Sequence, residues 1–402
     1  MDRQILHIDM NNCFASIEMK LRPELKGIPL VVSASKDGKH GIVLAKSEEA
    51  KIFNIKTAEP IWMAKKKCKD LKIVEPHYNE YKKHSIWARE IYYSYTNQVE
   101  PFSLDEAWLD ITGSTKLFGT PLEIANTIRQ RIKEELGITV SVGLSFNKIF
   151  AKLASDVARP DSVNEIRKDN FKEIVWPMKI SNMMGIGQSS VKKLNEEGIF
   201  YLGDIAKTKK EELEKILGSH GERIWEQVNG LDKSEVKDFY HLDPIKSISH
   251  GRTFIENLDS KEEIRYVFHR LAQKVSRRLI EENLEAMGVQ ISVKDKDLKQ
   301  ESFQKTLDCS SFSSIVLRDT ALDLFENYKW DKPIRFLEVR AINLTKDSNV
   351  QTNFLTDFND EDKKSKLDKA IYNLQNNFGK DMVKLGYSPD LDERYGDEKF
   401  ER

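Results

Sequence analysis

The sequence predicts an α+β multidomain chain, and three observations carry that expectation. Strands alternate with helices over the first 160 residues, with hairpins between them. Residues 165–235 then change to short helices with glycine turns. From 246 to 345 the order is β-α-β-β-α-β, a small open-sheet domain of about 100 residues. At 402 residues and 46.6 kDa the chain exceeds one ordinary domain, and roughly two to four compact units are expected.

Ile5-Leu6-His7-Ile8-Asp9 is an apolar run ending on a carboxylate, which reads as a buried strand. A helix follows over Cys13–Lys20, its apolar positions Phe14, Ile17 and Leu21 at spacings of three and four. Pro29–Val32 and Gly41–Leu44 are the next two strand candidates, with a polar link between them. Helices are expected at Ser47–Phe53, Pro60–Lys67, 79–95 and 121–136, and a strand over Ile138–Gly143. After the glycine-punctuated helices (Met184-Gly185-Ile186-Gly187, Glu197-Gly198, Leu217-Gly218), Asp243-Pro244 marks a linker. The last domain should have strands at 248–255, 287–294, 301–308 and 335–343, with helices at 261–282 and 312–328. A helix at 361–379 and a charged, disordered end from Leu391 complete the expectation.

Composition excludes several classes. With 39% hydrophobic and 32% charged residues the chain can build cores, yet no apolar run approaches the roughly 20 residues of a membrane span. No signal peptide is read at the start, so a soluble, cytoplasmic protein is expected. Three cysteines (Cys13, Cys68, Cys309) lie far apart without ligand spacing, against both a disulfide scaffold and a zinc ribbon. Net charge is −1, and only local patches such as Lys65-Lys66-Lys67 with Lys69 could serve a polyanion. Such a patch is more simply a solvated helix face.

Two acidic clusters stand out. Asp9 ends an apolar strand, and Asp105-Glu106 lies between Ser103-Leu104 and Ala107-Trp108-Leu109. A carboxylate at the edge of an apolar strand is costly unless partnered. Two of them about 4 Å apart repel by roughly 4 kcal/mol at an effective dielectric near 20. Divalent ions turn that repulsion into coordination, and three carboxylates from two strands could hold a pair of ions for phosphoryl displacement. On spacing alone, loop acids or salt-bridge partners remain the simpler reading.

Longer motifs add a resemblance. His7-Ile8-Asp9-Met10-Asn11-Asn12-Cys13-Phe14-Ala15-Ser16-Ile17-Glu18 resembles the opening strand and helix of Y-family (DinB/UmuC-like) translesion DNA polymerases. Ser103-Leu104-Asp105-Glu106-Ala107-Trp108-Leu109-Asp110 is similar to their second catalytic motif, and Val142–Asp156 to a third signature. Met184-Gly185-Ile186-Gly187 with Leu194…Gly198-Ile199 resembles the family's helix-hairpin-helix, and Lys246-Ser247-Ile248…Thr253-Phe254 the start of its little finger. The motifs stand in order over roughly residues 4–345.

The resemblance implies a right-hand polymerase: palm 1–30 and 77–165, fingers 31–76, helix-hairpin-helix thumb 166–240, little finger 241–345, and a tail 346–402. It implies a DNA-directed DNA polymerase for low-fidelity translesion synthesis, acting as a monomer on primer-template DNA and deoxynucleoside triphosphates with two Mg²⁺ ions. Asp9 and Asp105 would ligate both ions, Glu106 the ion nearer the primer 3′-hydroxyl, and the Met10 carbonyl the nucleotide-side ion. Phe14 falls at the aromatic steric gate against a ribose 2′-hydroxyl. Cys13, Phe14, Lys51 and Arg159 would meet the triphosphate, and Val32, Ile42 and Leu44 the templating base. Gly185, Gly187, Lys246, Ser247 and Arg252 would contact DNA. Gln351, Phe354 and Leu355 resemble the peptide that docks on the bacterial sliding clamp.

Three positions depart from the family pattern. Glu48 replaces a tyrosine that reaches the triphosphate, Lys51 a bidentate arginine, and Ala45 a frequent hydroxyl residue. Glu48 would repel phosphate unless Lys46 or a metal neutralises it. These changes leave open a weak or inactive polymerase-like accessory protein that binds DNA and the clamp. A two-metal nuclease is a third reading, but it gives no reason for Phe14.

Overall fold

The computed structural model describes residues 2–34, 41–238, 243–346, 358–379 and 391, and it divides into two units, Met1–Leu242 and Asp243–Arg402. In the first unit, strand β1 (Ile5–Met10) leads into helix α1 (Cys13–Leu21). Strands β2 (Leu30–Val32) and β3 (Ala45–Lys46), helices α2 (Glu48–Lys51) and α3 (Ile61–Lys67), and strand β4 (Lys72–Val74) follow. Next come α4 (Tyr78–Tyr93), β5 (Val99–Pro101), β6 (Glu106–Asp110), α5 (Thr115–Phe118) and α6 (Pro121–Arg131), the last running into a π-turn at Ile132–Leu136. Then β7 (Val140–Ser145), α7 (Lys148–Asp156) and β8 (Val163–Ile166) complete a five-stranded sheet in the order β5-β6-β1-β7-β8.

β1 is the centre of that sheet and pairs antiparallel with both β6 and β7. Its apolar run is dictated by burial on both faces: Ile5, Leu6, His7 and Ile8 are all fully buried. Gly143 on β7 lies opposite His7, and a Cβ there would come within 1.9 Å of the Ala151 carbonyl on α7. The glycine is therefore what lets α7 lie against the sheet. Asn147 starts α7 by accepting the Phe150 N–H at 2.7 Å. In α6, Thr120 and Glu123 form a reciprocal capping box behind Pro121.

A second, three-stranded sheet (β3-β2-β4) holds β2 antiparallel to β3 and parallel to β4. The expected strand at Gly41–Leu44 is absent. Only an isolated bridge from Ile42 to Pro60 forms there, and the strand proper begins at Ala45. Val43 alone turns inward, exchanging backbone hydrogen bonds with Glu59 and Ala58, while Ile42 stays 46% exposed. Five short helices, α8 (Phe171–Val175), α9 (Gln188–Glu196), α10 (Leu202–Lys207), α11 (Lys210–Leu217) and α12 (Ser219–Val228), close the unit around a separate apolar cluster.

The second unit has the expected β-α-β-β-α-β order: β9 (Ser247–Leu258), α13 (Lys261–Glu281), β10 (Glu285–Asp295), β11 (Gln300–Ser311), α14 (Ser314–Phe325) and β12 (Ile334–Thr345). Its sheet runs β11-β10-β12-β9, antiparallel throughout. Both helices pack into one apolar core with that sheet. Helix α15 (Phe358–Phe378) docks on it through Asp368, which accepts from Ser313 Oγ (2.9 Å), Ser314 N–H (2.8 Å) and Ser314 Oγ (2.6 Å). The expected disordered end lies outside the described residues apart from Leu391.

Candidate active site

Asp9 and Glu106 are direct partners in the antiparallel β1–β6 pair, so both side chains lie on one face. Asp105 sits one residue before β6, and its carbonyl accepts the Met10 N–H at 3.1 Å. Ser103 fixes the turn into β6. Its hydroxyl donates to Asp105 Oδ1 (2.6 Å) and accepts from the Asp105 (3.3 Å) and Glu106 (3.0 Å) N–H groups. The two acidic clusters read from the sequence are thus brought to the same edge of the central strand pair.

The three acids are held in different electrostatic states. Burial, then the neighbouring Glu106 and Asp105 carboxylates, push the Asp9 carboxyl up to about 7. Burial opposes ionisation of Glu106 too, but His7 and Lys152 outweigh it and bring it down to about 2. Lys152 Nζ lies 3.0 Å from Glu106 Oε2 and 3.3 Å from Asp156 Oδ1. His7 is fully buried and its pKa is lowered, chiefly by burial. His7 Nδ1 lies 2.7 Å from Ser155 Oγ, whose hydroxyl also reaches the Lys152 carbonyl (2.8 Å), and His7 Nε2 faces Glu106 Oε2 at 3.6 Å.

Among the described residues no three His, Cys, Asp or Glu side chains converge tightly enough to hold an ion as they stand. The donor chemistry still fits a hard divalent cation. Burial and two neighbouring carboxylates disfavour ionised Asp9, which a cation would offset, and all three side chains offer oxygen.

Phe14, in the first turn of α1, is half-buried, and its ring stacks on Tyr81 of α4 with centroids 4.1 Å apart. The stripe expected on α1 is rotated: Leu21 is 43% exposed, whereas Glu18 is fully buried. Cys13 is buried with its thiol 3.9 Å from Met10 Sδ, and burial pushes that thiol's pKa up. Only its backbone is left to meet a ligand. Lys51 Nζ donates to Glu48 Oε1 at 2.7 Å, and Asn12 Nδ2 donates to the same oxygen at 2.7 Å. Lys51 pairs directly with Glu48, and Lys46, which donates to Thr57 Oγ1 at 3.2 Å, adds its positive charge without a direct contact.

Sequence reasoning missed Asn11 as a positioning group. Its amide donates to Ser141 Oγ (2.7 Å) and accepts from Thr139 Oγ1 (3.0 Å) and the Asp161 N–H (2.9 Å). Ser141 and Ser162 hydroxyls in turn donate to the Arg159 carbonyl (3.2 and 2.6 Å), which fixes the loop carrying the exposed Arg159 side chain. An amide between an acidic strand end and a helix start was the available signal. Val32 is buried, Leu44 half-buried and Ile42 exposed, so the three do not form one core stripe.

Gly185 has φ +89° and its carbonyl receives a contact from His220 Nε2 at 3.1 Å; Gly187 precedes α9, with open space where a Cβ would stand. Ile186 between them is buried in the helical cluster. In the second unit Lys246 is exposed, Ser247 Oγ accepts from Arg340 Nη1 at 3.4 Å, and Arg252 lies over the Phe254 ring at 5.7 Å. Gln351, Phe354 and Leu355 lie outside the described residues.

The chain has known relatives. The impB/mucB/samB family model matches residues 8–156, and the impB/mucB/samB family C-terminal domain matches 245–354. DNA polymerase IV of Acetivibrio thermocellus is 40% identical over 388 residues, covering 96% of this chain and 97% of that protein. DNA polymerase IV 2 of Halalkalibacterium halodurans is 32% identical over 395 residues, covering 96% and 95%. Among solved structures, a Y-family DNA polymerase chimera matches with a TM-score of 0.76 and 25% identity, covering 86% of this chain and all of that one. A right-hand polymerase carrying strand-end carboxylates is the class that fold and site define. The chain belongs to the impB/mucB/samB family of Y-family DNA polymerases, enzymes that are DNA-directed DNA polymerases.

Proposed function

We propose that the chain carries out low-fidelity translesion synthesis, with Asp9, Asp105 and Glu106 as its catalytic carboxylates. The meeting of these three acids at the β1–β6 edge supports the reading most directly. Asp9 and Asp105 would hold two Mg²⁺ ions, joined by Glu106 on the primer side and the Met10 carbonyl on the nucleotide side. When bound, the ions supply charge that activates the 3′-hydroxyl and stabilises the departing pyrophosphate. Glu106 must leave Lys152 to take part, and the freed ammonium then offers a positive charge to the same site.

Phe14 excludes a 2′-hydroxyl by sterics. Lys51 and Arg159 bind the triphosphate, Lys51 at the expense of its pair with Glu48. Val32, Ile42 and Leu44 border the templating base. The turn at Gly185 and Gly187, and Lys246, Ser247 and Arg252, contact the DNA backbone irrespective of sequence. Within the first unit, residues 1–30 with 77–165 serve as palm, 31–76 as fingers and 166–240 as thumb; 241–345 is the little finger. Gln351, Phe354 and Leu355 dock on the sliding clamp, and the enzyme acts as a cytoplasmic monomer. Among the described residues no helix is long and apolar enough to cross a membrane.

Primer extension on paired templates, one undamaged and one with a single bulky base adduct, tests this reading. Insertion opposite the adduct, with frequent misinsertion on the undamaged template, is expected. A complete stop at the adduct with accurate copying elsewhere would overturn the translesion assignment.

A further inference from the structure

The Phe14 ring rests on a buried device that its proposed role does not use. Tyr81, fully buried on α4, lies face to face under Phe14, with an interplanar angle of 11°. Tyr78 meets both rings edge-on, at 6.1 and 5.8 Å. Free aromatic pairs prefer offset or edge-to-face arrangements with centroids about 4.5–7 Å apart, so a 4.1 Å stack depends on what holds the lower ring. The holder is Glu18. The Tyr81 hydroxyl donates to Glu18 Oε1, and the same carboxylate accepts from His77 N–H (3.1 Å), His77 Nδ1 (3.0 Å) and Arg22 Nη2 (2.5 Å).

A fully buried carboxylate in an apolar helix face is a poor source of stability, because its desolvation cost is large. Burial raises the Glu18 pKa, but the bonds from Tyr81, His77 and Arg22 outweigh that and keep it below the usual range. Burial and the Glu18 contact push the Tyr81 phenol up, so it stays a donor. Glu18 also stands one turn beyond Phe14 on α1, which closes a circuit. The helix carries the upper ring, its own carboxylate fixes the lower ring, and the lower ring backs the upper one.

We infer that Glu18 and Tyr81 are positioning residues for sugar discrimination: the buried carboxylate pins the Tyr81 ring, which keeps Phe14 from yielding to a ribose 2′-hydroxyl. The inference rests on the reading of Phe14 as the steric gate. A gate that can retreat by about an ångström loses much of its selectivity, so discrimination should fall on the order of tenfold when the pin is removed.

The test is the ratio of kcat/KM for a deoxynucleotide to that for its ribonucleotide, in wild type, Tyr81→Phe, Glu18→Gln, Phe14→Ala and the Phe14→Ala/Tyr81→Phe double variant. The ratio is independent of how much of each preparation is folded. Tyr81→Phe keeps the ring and loses only the hydroxyl, so it reads the pin even where Glu18→Gln folds poorly. Expected are reduced ratios in Tyr81→Phe and Glu18→Gln, carried by a lower ribonucleotide KM. The double variant should lose nothing beyond Phe14→Ala. An unchanged ratio in Tyr81→Phe with a collapsed ratio in Phe14→Ala overturns the positioning role alone. An unchanged ratio in Phe14→Ala overturns the gate reading and the inference with it.

Discussion

Asp9 stands directly opposite Glu106 in the pairing of β1 with β6, yet the two carboxylates are in opposite states: Asp9 is pushed up to about 7 and Glu106 down to about 2. Burial and the neighbouring carboxylates raise Asp9, whereas His7 and Lys152, the latter 3.0 Å from Glu106, outweigh burial at Glu106. Ionising all three carboxylates together would bring like charges against one another, a repulsion that a cation would relieve.

Asp9→Asn should stabilise the metal-free protein while abolishing extension. The unfolded chain releases the Asp9 proton near 4 and the folded protein near 7, so the folded state binds more protons between those values. Stability contributed by this group thus falls as pH rises from about 4 to 7 and is level above. In divalent-free buffer at pH 7.5 the variant should melt a few degrees higher, at about 2–4 °C per kcal/mol for a unit of this size. A lower melting temperature than wild type would contradict the charge assignment.

Lys152→Met should tighten divalent-ion binding. The ammonium competes for Glu106, and removing a positive charge from an oxygen cluster favours a cation. The Mg²⁺ concentration for half-maximal extension should fall several-fold. A rise would mean that Lys152 serves to aim Glu106 rather than to compete for it.

Glu48→Gln should lower KM for the incoming nucleotide several-fold with a smaller change in kcat. On the proposed triphosphate site it removes a repelling charge and frees Lys51, while glutamine can still accept from Asn12. Steady-state single-nucleotide kinetics read the change, and an unaltered KM would place Lys51 away from the triphosphate.

Asp368→Ala should loosen α15 from the second unit. The Ser313 side chain makes no cap bond at the start of α14, and Asp368 supplies that function from another helix through three hydrogen bonds. A loss of about 1–2 kcal/mol is expected, the upper range for a cap. Hydrogen exchange should quicken in α15 and the first turn of α14 but not in β10. Unchanged exchange would mean that the ring contacts, such as Lys369 over Phe312 at 4.8 Å, suffice to hold the helix.

What the sequence made legible was what local patterning encodes. The apolar run of β1 ends on Asp9, the Ser103 turn precedes Asp105-Glu106, and the order of the second unit follows from its alternating periods. Long-range partnerships left no such trace. The stripe of Phe14, Ile17 and Leu21 gives no sign of a buried Glu18, whose donors Tyr81 and His77 lie 63 and 59 positions away. β4 and β8 were missed because each is three or four residues long and pairs in parallel with an earlier strand, so no hairpin marks it. The apolar run Gly41–Leu44 looked like a strand, but it pairs mainly with the loop around Glu59, which alternation cannot reveal.

Single-nucleotide primer extension with Mg²⁺ on an undamaged template, wild type beside Asp105→Ala, tests the central claim most directly. Extension by wild type, abolished in Asp105→Ala with duplex binding retained, is the result expected if the strand-end carboxylates carry the chemistry. Extension that survives in Asp105→Ala would remove that role. A wild type that binds duplex DNA without extending it would make this chain a polymerase-shaped accessory protein.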